Sequence, residues 1–206
     1  KEEKADLGIA LDGDADRVIF SDENGNLLDC DQILGVLALN LYNQKELKNN
    51  TVVGTIMTNI GFENFLNDNN INLKRVNVGD RYILDEMLNN NFNLGGEPSG
   101  HIIMSDHTKS GDGLLTAIKI ISLLKKSGIK ASKFLRPFSI TPYKIENVKK
   151  INNDILESES IKNSLNKIQL DLKNKHNGRL LVRPSGTEPI IRILVECEYD
   201  DKIDQY

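Results

Sequence analysis

The chain contains no tryptophan, only two cysteines and five prolines in 206 residues, and aromatic side chains make up 5% of it. Each shortage narrows the field. Cys30 and Cys197 lie far apart, and neither sits in a CxxC or Cys/His spacing. A zinc site and a disulfide framework are therefore not expected, and a reducing compartment, the cytoplasm, is. No apolar run reaches the about 18 residues that a membrane span needs, so no membrane partner is expected. Basic residues are not in excess: Lys and Arg total 26 against 30 Asp and Glu, for a formal net charge of -4. A broad basic footprint for nucleic acid is absent, and nucleic acid is not an expected partner. What remains, 39% hydrophobic and 27% charged residues, describes an ordinary globular protein long enough for one or two domains.

Periodicity gives alternating strands and helices. The run at residues 7–11 reads as a buried strand leading straight into an acidic loop. The spacing of Ile33, Leu37 and Leu41 predicts a helix over 29–43, with Asp29 or Asp31 available as its cap. Strands are expected at 51–57, 73–78 and 102–104, and helices at 61–70, 81–90 and 112–126. Ile83, Leu84, Met87 and Leu88 are expected to face inward from the third of these helices. Leu114, Ile118 and Ile121 are expected on one face of the last. Such an alternation predicts an α/β fold with a parallel or mixed sheet covered by helices. The pattern changes near 137–139. A strand at 140–148, a helix over 151–173 (Ile151, Ile155, Ile161, Leu165, Ile168 and Leu172 inward) and strands at 180–183 and 190–197 predict a smaller α+β domain. A strand and loop so near the start, with no initiator Met and no signal peptide, read as an internal piece of a longer protein. The strand at 7–11 is then expected to lack sheet neighbours, leaving its apolar residues exposed and the acidic loop poorly formed.

Four loops carry candidate chemistry. In the first, Asp12, Asp14 and Asp16 alternate with Gly13 and Ala15 and are followed by Arg17. Three carboxylates so close repel unless a cation sits among them, and an all-oxygen set suits Mg2+ or Ca2+. Solvated acidic surface is the plainer alternative. An EF-hand is excluded: Glu23 stands at the twelfth position, but the sixth is Arg17 rather than glycine, and a strand precedes the loop. The second loop, around Gly79, Asp80 and Arg81, is either an anion-holding helix N-terminus or a cap with a surface charge. In the third, 95–101, Glu97 and Ser99 alternate on an extended segment and could hydrogen-bond vicinal hydroxyls from one side. His101 beside them could transfer protons or bind an anion; a β-turn with a structural histidine is the alternative. In the fourth, Arg183, Ser185, Gly186 and Thr187, with Arg192 downstream, have the amides, hydroxyls and guanidinium groups of a phosphate cradle.

Taken in order, the loops DGDADR, GEPSGH and RPSGTEP resemble the α-D-phosphohexomutase superfamily across essentially the whole chain. The stretch from TNIGFENFL through VNVGDRYILDEML to SGDGLL is similar to its branch acting on amino-sugar phosphates. Pro98 departs from that branch, which usually has a polar residue there. The resemblance implies a sugar-phosphate mutase, an isomerase that exchanges glucosamine 6-phosphate and glucosamine 1-phosphate through a phosphoserine and a bisphosphate, toward cell-wall precursors. It further implies that Asp12, Asp14 and Asp16 hold Mg2+. Arg17, Arg81 and His101 are implied as catalytic, Glu97 and Ser99 as gripping the sugar, and Arg183, Ser185, Gly186, Thr187 and Arg192 as binding phosphate. No TASHN-like serine motif occurs in these 206 residues, so the chain alone is expected to be inactive. By the same resemblance residues 1–28 end a second domain, 29–137 form a third and 138–206 most of a fourth. A homodimer is among the assemblies the resemblance allows. A phosphomannomutase or phosphoglucomutase, and a non-catalytic sugar-phosphate-binding protein, remain open alternatives.

Overall fold

The computed structural model describes residues 2–149, 155–185 and 189–206. These divide into two compact units, Lys1–Ile140 and Thr141–Tyr206.

The first unit opens with three short strands, β1 (Leu7–Leu11), β2 (Val18–Asp22) and β3 (Leu27–Leu28), in an antiparallel sheet of that order. Leu11 faces Val18 across the first pair, so the acidic loop is the connection of a hairpin. β1 thus keeps one strand partner. Its outward residues Ile9 and Leu11 are exposed as expected, but the loop is formed. Next come α1 (Cys30–Asn43), β4 (Thr51–Thr55), α2 (Ile60–Asp68), β5 (Asn72–Val76), α3 (Asp80–Asn90), β6 (Leu94–Gly96), β7 (Ile102–Met104), α4 (Gly113–Ser127) and α5 (Ala131–Phe134). Of the two candidate caps on α1, Asp29 does the work, its side chain accepting from the Asp31 amide.

The second sheet of this unit runs β5-β4-β6-β7. β4 is parallel to β5 and β6, and β7 returns antiparallel to β6, a mixed sheet as expected. Strand alternation sends successive residues to opposite faces. Val52, Ile102 and Met104 join a large core with α1, α2 and α4, whereas Val53 and Ile103 join a smaller one with Ile83 and Met87 of α3. β4 stops at Thr55 rather than residue 57 because the Thr58 hydroxyl takes the Thr55 amide and the chain turns. The buried Asp22 at the end of β2 accepts from Arg136 Nη1 and from the Asn24 and Asn26 amides. Burial pushes its carboxyl pKa up, but the Arg136 guanidinium and those amides outweigh burial and bring it down to about 2.

Two expected faces are corrected. Leu88 is exposed, and only Ile83 and Met87 of α3 are fully buried. Leu114, Ile118 and Ile121 do share a face of α4, but it is the outward one, 45–57% exposed. The buried face presents Gly113, Thr116, Ala117 and Ile120 instead. Small side chains are needed there because the first turn of α4 lies against the acidic loop, where the Gly113 amide donates to the Ala15 carbonyl. Phe138 stacks on Phe62 and Phe65 at 5.6 and 5.0 Å, and its carbonyl accepts from Gln32. Chain just beyond Pro137 therefore still belongs to the first unit.

The second unit contains β8 (Tyr143–Lys149), α6 (Glu159–His176), β9 (Arg179–Pro184), β10 (Ile190–Glu196) and α7 (Asp200–Ile203). Its sheet, β8-β10-β9, is wholly antiparallel. Leu172 of α6 packs with Val195, Cys197 and Ile203, flanked by Ile168, Leu180 and Ile193. The α+β reading holds, but the helix begins at Glu159 rather than 151: a 3-10 turn at Ile155–Glu157 precedes it, and Ser158 forms its cap position. Ile155 is exposed and Ile151 lies outside the described residues.

Replacing the fully buried Ile120 by alanine is expected to cost about 2–5 kcal/mol of stability, while Ile118→Ser on the exposed face of the same helix should change it by less than about 0.5 kcal/mol. Urea unfolding of the two variants of this chain checks the assignment of faces.

Candidate functional site

The hairpin connection between β1 and β2 brings Asp12, Asp14 and Asp16 together. One oxygen from each lies within 4.8 Å of the others. The loop achieves this by curling: Ala15 adopts a left-handed conformation, φ 59°, and its amide donates to the Asp12 carbonyl. The Arg17 amide donates to Asp12 Oδ1 at 3.2 Å, and its Nε lies 4.0 Å from Asp12 and 3.9 Å from Asp16. Partial burial works against the Asp12 charge, but the Arg17 amide, the contact with Asp16 and the Arg17 charge together hold its carboxyl below the usual value. Asp12 and Asp14 are exposed and Asp16 half-buried. An all-oxygen set this close, open to solvent on one side, fits a hard divalent cation.

This loop is stitched to the third one. Arg17 and His101 form an isolated antiparallel bridge, and the Val18 amide donates to the Gly100 carbonyl. Gly100 has φ 93°, and a Cβ there would meet the Val18 carbonyl oxygen at 2.4 Å. Only glycine allows this approach. The His101 ring is 4% exposed. Its Nδ1 is 3.1 Å from Asp16 Oδ2, and its Nε2 accepts from the Gly111 amide at 3.2 Å. An Nε2 that accepts carries no proton, so the proton sits on Nδ1 and is donated to Asp16. Both ring nitrogens are thereby engaged within the protein.

Glu97 and Ser99 do not lie on an extended segment. The Glu97 amide donates to the His101 carbonyl and the Gly100 amide to the Glu97 carbonyl, closing a tight turn between β6 and β7. The segment is a turn, as an antiparallel return over so few residues requires. Ser99 Oγ still approaches Glu97 Oε2, at 3.4 Å. Glu97 Oε1 accepts from the Gly79 amide at 2.9 Å, which joins the second loop to the third. That amide lies at the cap position of α3, so this helix end already faces a carboxylate from the chain itself. Asp80 is the first residue of α3 rather than its cap, and the exposed Arg81 side chain pairs with Asp85. Arg81 is therefore not brought to the carboxylate loop among the described contacts. The sequence offered the helix end at Gly79 as an anion holder without indicating Glu97 as the anion, and it gave no sign of the role of Gly111. A glycine just ahead of the Asp112 cap of α4 was visible, but no local pattern says that it packs on a histidine ten residues earlier.

In the second unit Arg192 of β10 stands directly opposite Arg183 of β9. Ile193 and Val195 pack toward Leu172 of α6, so the two arginines, out of phase with them, share the other face. Burial, and then the Arg192 charge, pull the Arg183 guanidinium below its ordinary value. Like charges directly opposite are unfavourable without an anion. The Ser185 amide donates to the Ile190 carbonyl where the connection begins. Gly186 and Thr187 lie outside the described residues.

With the geometry in place, comparison with known proteins becomes informative. The profile described as phosphoglucomutase/phosphomannomutase, alpha/beta/alpha domain III, matches residues 29–139, and that of the C-terminal domain matches residues 141–206. The chain belongs to the phosphoglucomutase/phosphomannomutase family. Phosphoglucosamine mutase of Caldanaerobacter subterraneus is 46% identical over 208 residues, covering 99% of this chain and 46% of that protein. The enzyme of the same name from Agrobacterium fabrum is 43% identical, with 99% and 45% covered. The chain spans about half the length of the curated relatives it matches. Among solved structures, an N-acetylglucosamine-phosphate mutase in its product complex superposes with a TM-score of 0.79 at 20% identity, over 97% of this chain and 47% of that one. Aspergillus fumigatus N-acetylphosphoglucosamine mutase in complex with GlcNAc-6P and magnesium gives 0.80 at 20%, over 96% and 50%. At that identity the likeness is one of fold, and it agrees with the expected mixed-sheet α/β domain followed by a smaller α+β one. No described helix of this family member is long and apolar enough to cross a membrane.

Gly100→Ala is expected to destabilise the first unit by at least about 2 kcal/mol, from the strained φ together with the clash at the Val18 carbonyl. Thermal unfolding compared with Gly13→Ala, where an added Cβ meets nothing within 4 Å, checks it.

Proposed function

We propose that this chain supplies the cation, sugar and phosphate loops of a phosphoglucosamine mutase, acting in the cytoplasm on glucosamine 6-phosphate and glucosamine 1-phosphate. The observation that supports the reading is the stitch between the loop at 12–17 and the turn at 97–101, because it ties the clustered carboxylates to the turn that carries Glu97 and Ser99. Identity of 43–46% to phosphoglucosamine mutases over almost the whole chain supports the substrate class.

In this reading Asp12, Asp14 and Asp16 hold Mg2+, which when bound supplies charge neutralisation beside a phosphoryl group. Arg17 offsets the carboxylates between which it lies and offers a guanidinium to the same anion. Glu97, already anchored through Oε1 to the Gly79 amide, keeps Oε2 with the Ser99 hydroxyl for the sugar. Arg183 and Arg192 offer their guanidinium groups to the phosphate that does not react, with Ser185, Gly186 and Thr187 as further donors. Residues 1–28, 29–140 and 141–206 are assigned to the second, third and fourth domains of the enzyme, the boundary moved past the 137–138 expected from the sequence because Phe138 packs in the first unit. The phosphoserine donor is assigned to the part of the relatives' length that this chain does not span, so this segment binds and orients but does not itself transfer the phosphoryl group.

Competing glucosamine 6-phosphate against glucose and mannose phosphates on the intact enzyme tests the proposal. The amino sugar is expected to be turned over with at least about tenfold higher kcat/KM, the range a few substrate contacts provide. Preference for glucose or mannose phosphate would instead make the protein a phosphoglucomutase or phosphomannomutase.

A further inference from the structure

His101 is more enclosed than a group that exchanges protons with a substrate needs to be. Its ring is 4% exposed, and each nitrogen is already committed: Nδ1 to Asp16 Oδ2 at 3.1 Å, and Nε2 to the Gly111 amide at 3.2 Å. The backbone on either side is pinned by the bridge to Arg17 and by the Glu97 amide, which donates to the His101 carbonyl. A second observation is independent of these hydrogen bonds. Gly111 lies flat on the imidazole, and a Cβ there would come within 2.4–2.6 Å of Cε1, Nδ1 and Nε2. The ring is thus clamped by shape as well as by polarity. Among the described residues, the side chain to which the ring donates is that of Asp16.

We propose that His101 is a positioning residue that acts through Asp16, holding that carboxylate in the orientation in which it joins Asp12 and Asp14. The proposal rests on reading the 12–16 loop as a divalent-cation site. The physical need is plain. Oxygens of three carboxylates lie within 4.8 Å of one another, and without a tether the half-buried Asp16 would relieve repulsion by rotating away. A donor on one of its oxygens removes that option while leaving the other free for a ligand. Such outer partners orient metal ligands and typically account for 10- to 100-fold in metal affinity. The chemistry at His101 is therefore a fixed N–H donor and not a travelling proton.

The test is calorimetric titration of the intact protein with Mn2+. His101→Asn keeps an N–H donor near the Nδ1 position, whereas His101→Gln moves it toward the Nε2 position. His101→Asn is expected to bind Mn2+ within about threefold of the unaltered protein, and His101→Gln about 10- to 100-fold more weakly. Gly111→Ala, which displaces the ring without removing a polar atom, should also weaken Mn2+ binding. Equal Mn2+ affinity in all these proteins, with mutase turnover lost in both histidine variants, would overturn the proposal and return His101 to proton transfer. Asp14→Asn keeps the two failures apart: if the unaltered protein binds Mn2+ with the same affinity as this variant, the cation reading itself is wrong, whatever His101 does.

Discussion

Three carboxylates whose oxygens lie within 4.8 Å of one another are costly to hold together, and much of the first unit is arranged to do it. The loop cannot manage this alone. Its curl needs a left-handed Ala15, and its carboxylates need counter-charge from Arg17 and donors on their oxygens. Those donors come from elsewhere in the sequence. His101 arrives from the β6–β7 turn to donate to Asp16, and the Gly113 amide, from the start of α4, holds the loop backbone through the Ala15 carbonyl. The stitch to the third loop and the clamp on His101 each depend on a glycine at a close approach, Gly100 and Gly111.

The packing follows from the same requirement. α4 turns Gly113, Thr116 and Ala117 of its first turns toward the acidic hairpin and the sheet, with Ile120 buried behind them and Leu115, Leu123 and Leu124 packed at the edge of the same core, while Leu114, Ile118 and Ile121 face outward. A helix with leucine at those inner positions could not bring its first turn within hydrogen-bonding distance of the Ala15 carbonyl. In the second unit, by contrast, hydrophobic packing of α6 on its sheet is conventional. The unusual feature there is the facing pair Arg183 and Arg192 on the sheet face away from α6.

Much of this was legible in advance. The α1 cap, the mixed sheet and the change to an α+β pattern follow from apolar spacing and from residues such as Asp29, because those signals are local. The order of the four loops carried the family resemblance, which the profiles and relatives bear out. What could not be read were relations between distant segments. Nothing near Glu97 indicates that its carboxylate meets the Gly79 amide, and nothing near Gly111 indicates a histidine ring. The outward face of α4 was misread because Leu114, Ile118 and Ile121 are spaced like a buried stripe, and spacing does not say which side of a helix meets the sheet. α6 was drawn too long because Ile151 and Ile155 continue its period past the point where the chain makes a 3-10 turn.

The proposal that the hairpin loop, held from outside by His101 and α4, receives a divalent cation has a direct structural test. Anomalous diffraction from crystals of the intact protein soaked in Mn2+ tests it most directly. The account predicts a strong peak within coordination distance of Asp12, Asp14 and Asp16, with the Asp16–His101 hydrogen bond retained. A structure in which Mn2+ binds elsewhere, or in which the three carboxylates splay into solvent with the loop empty at saturating Mn2+, would contradict it.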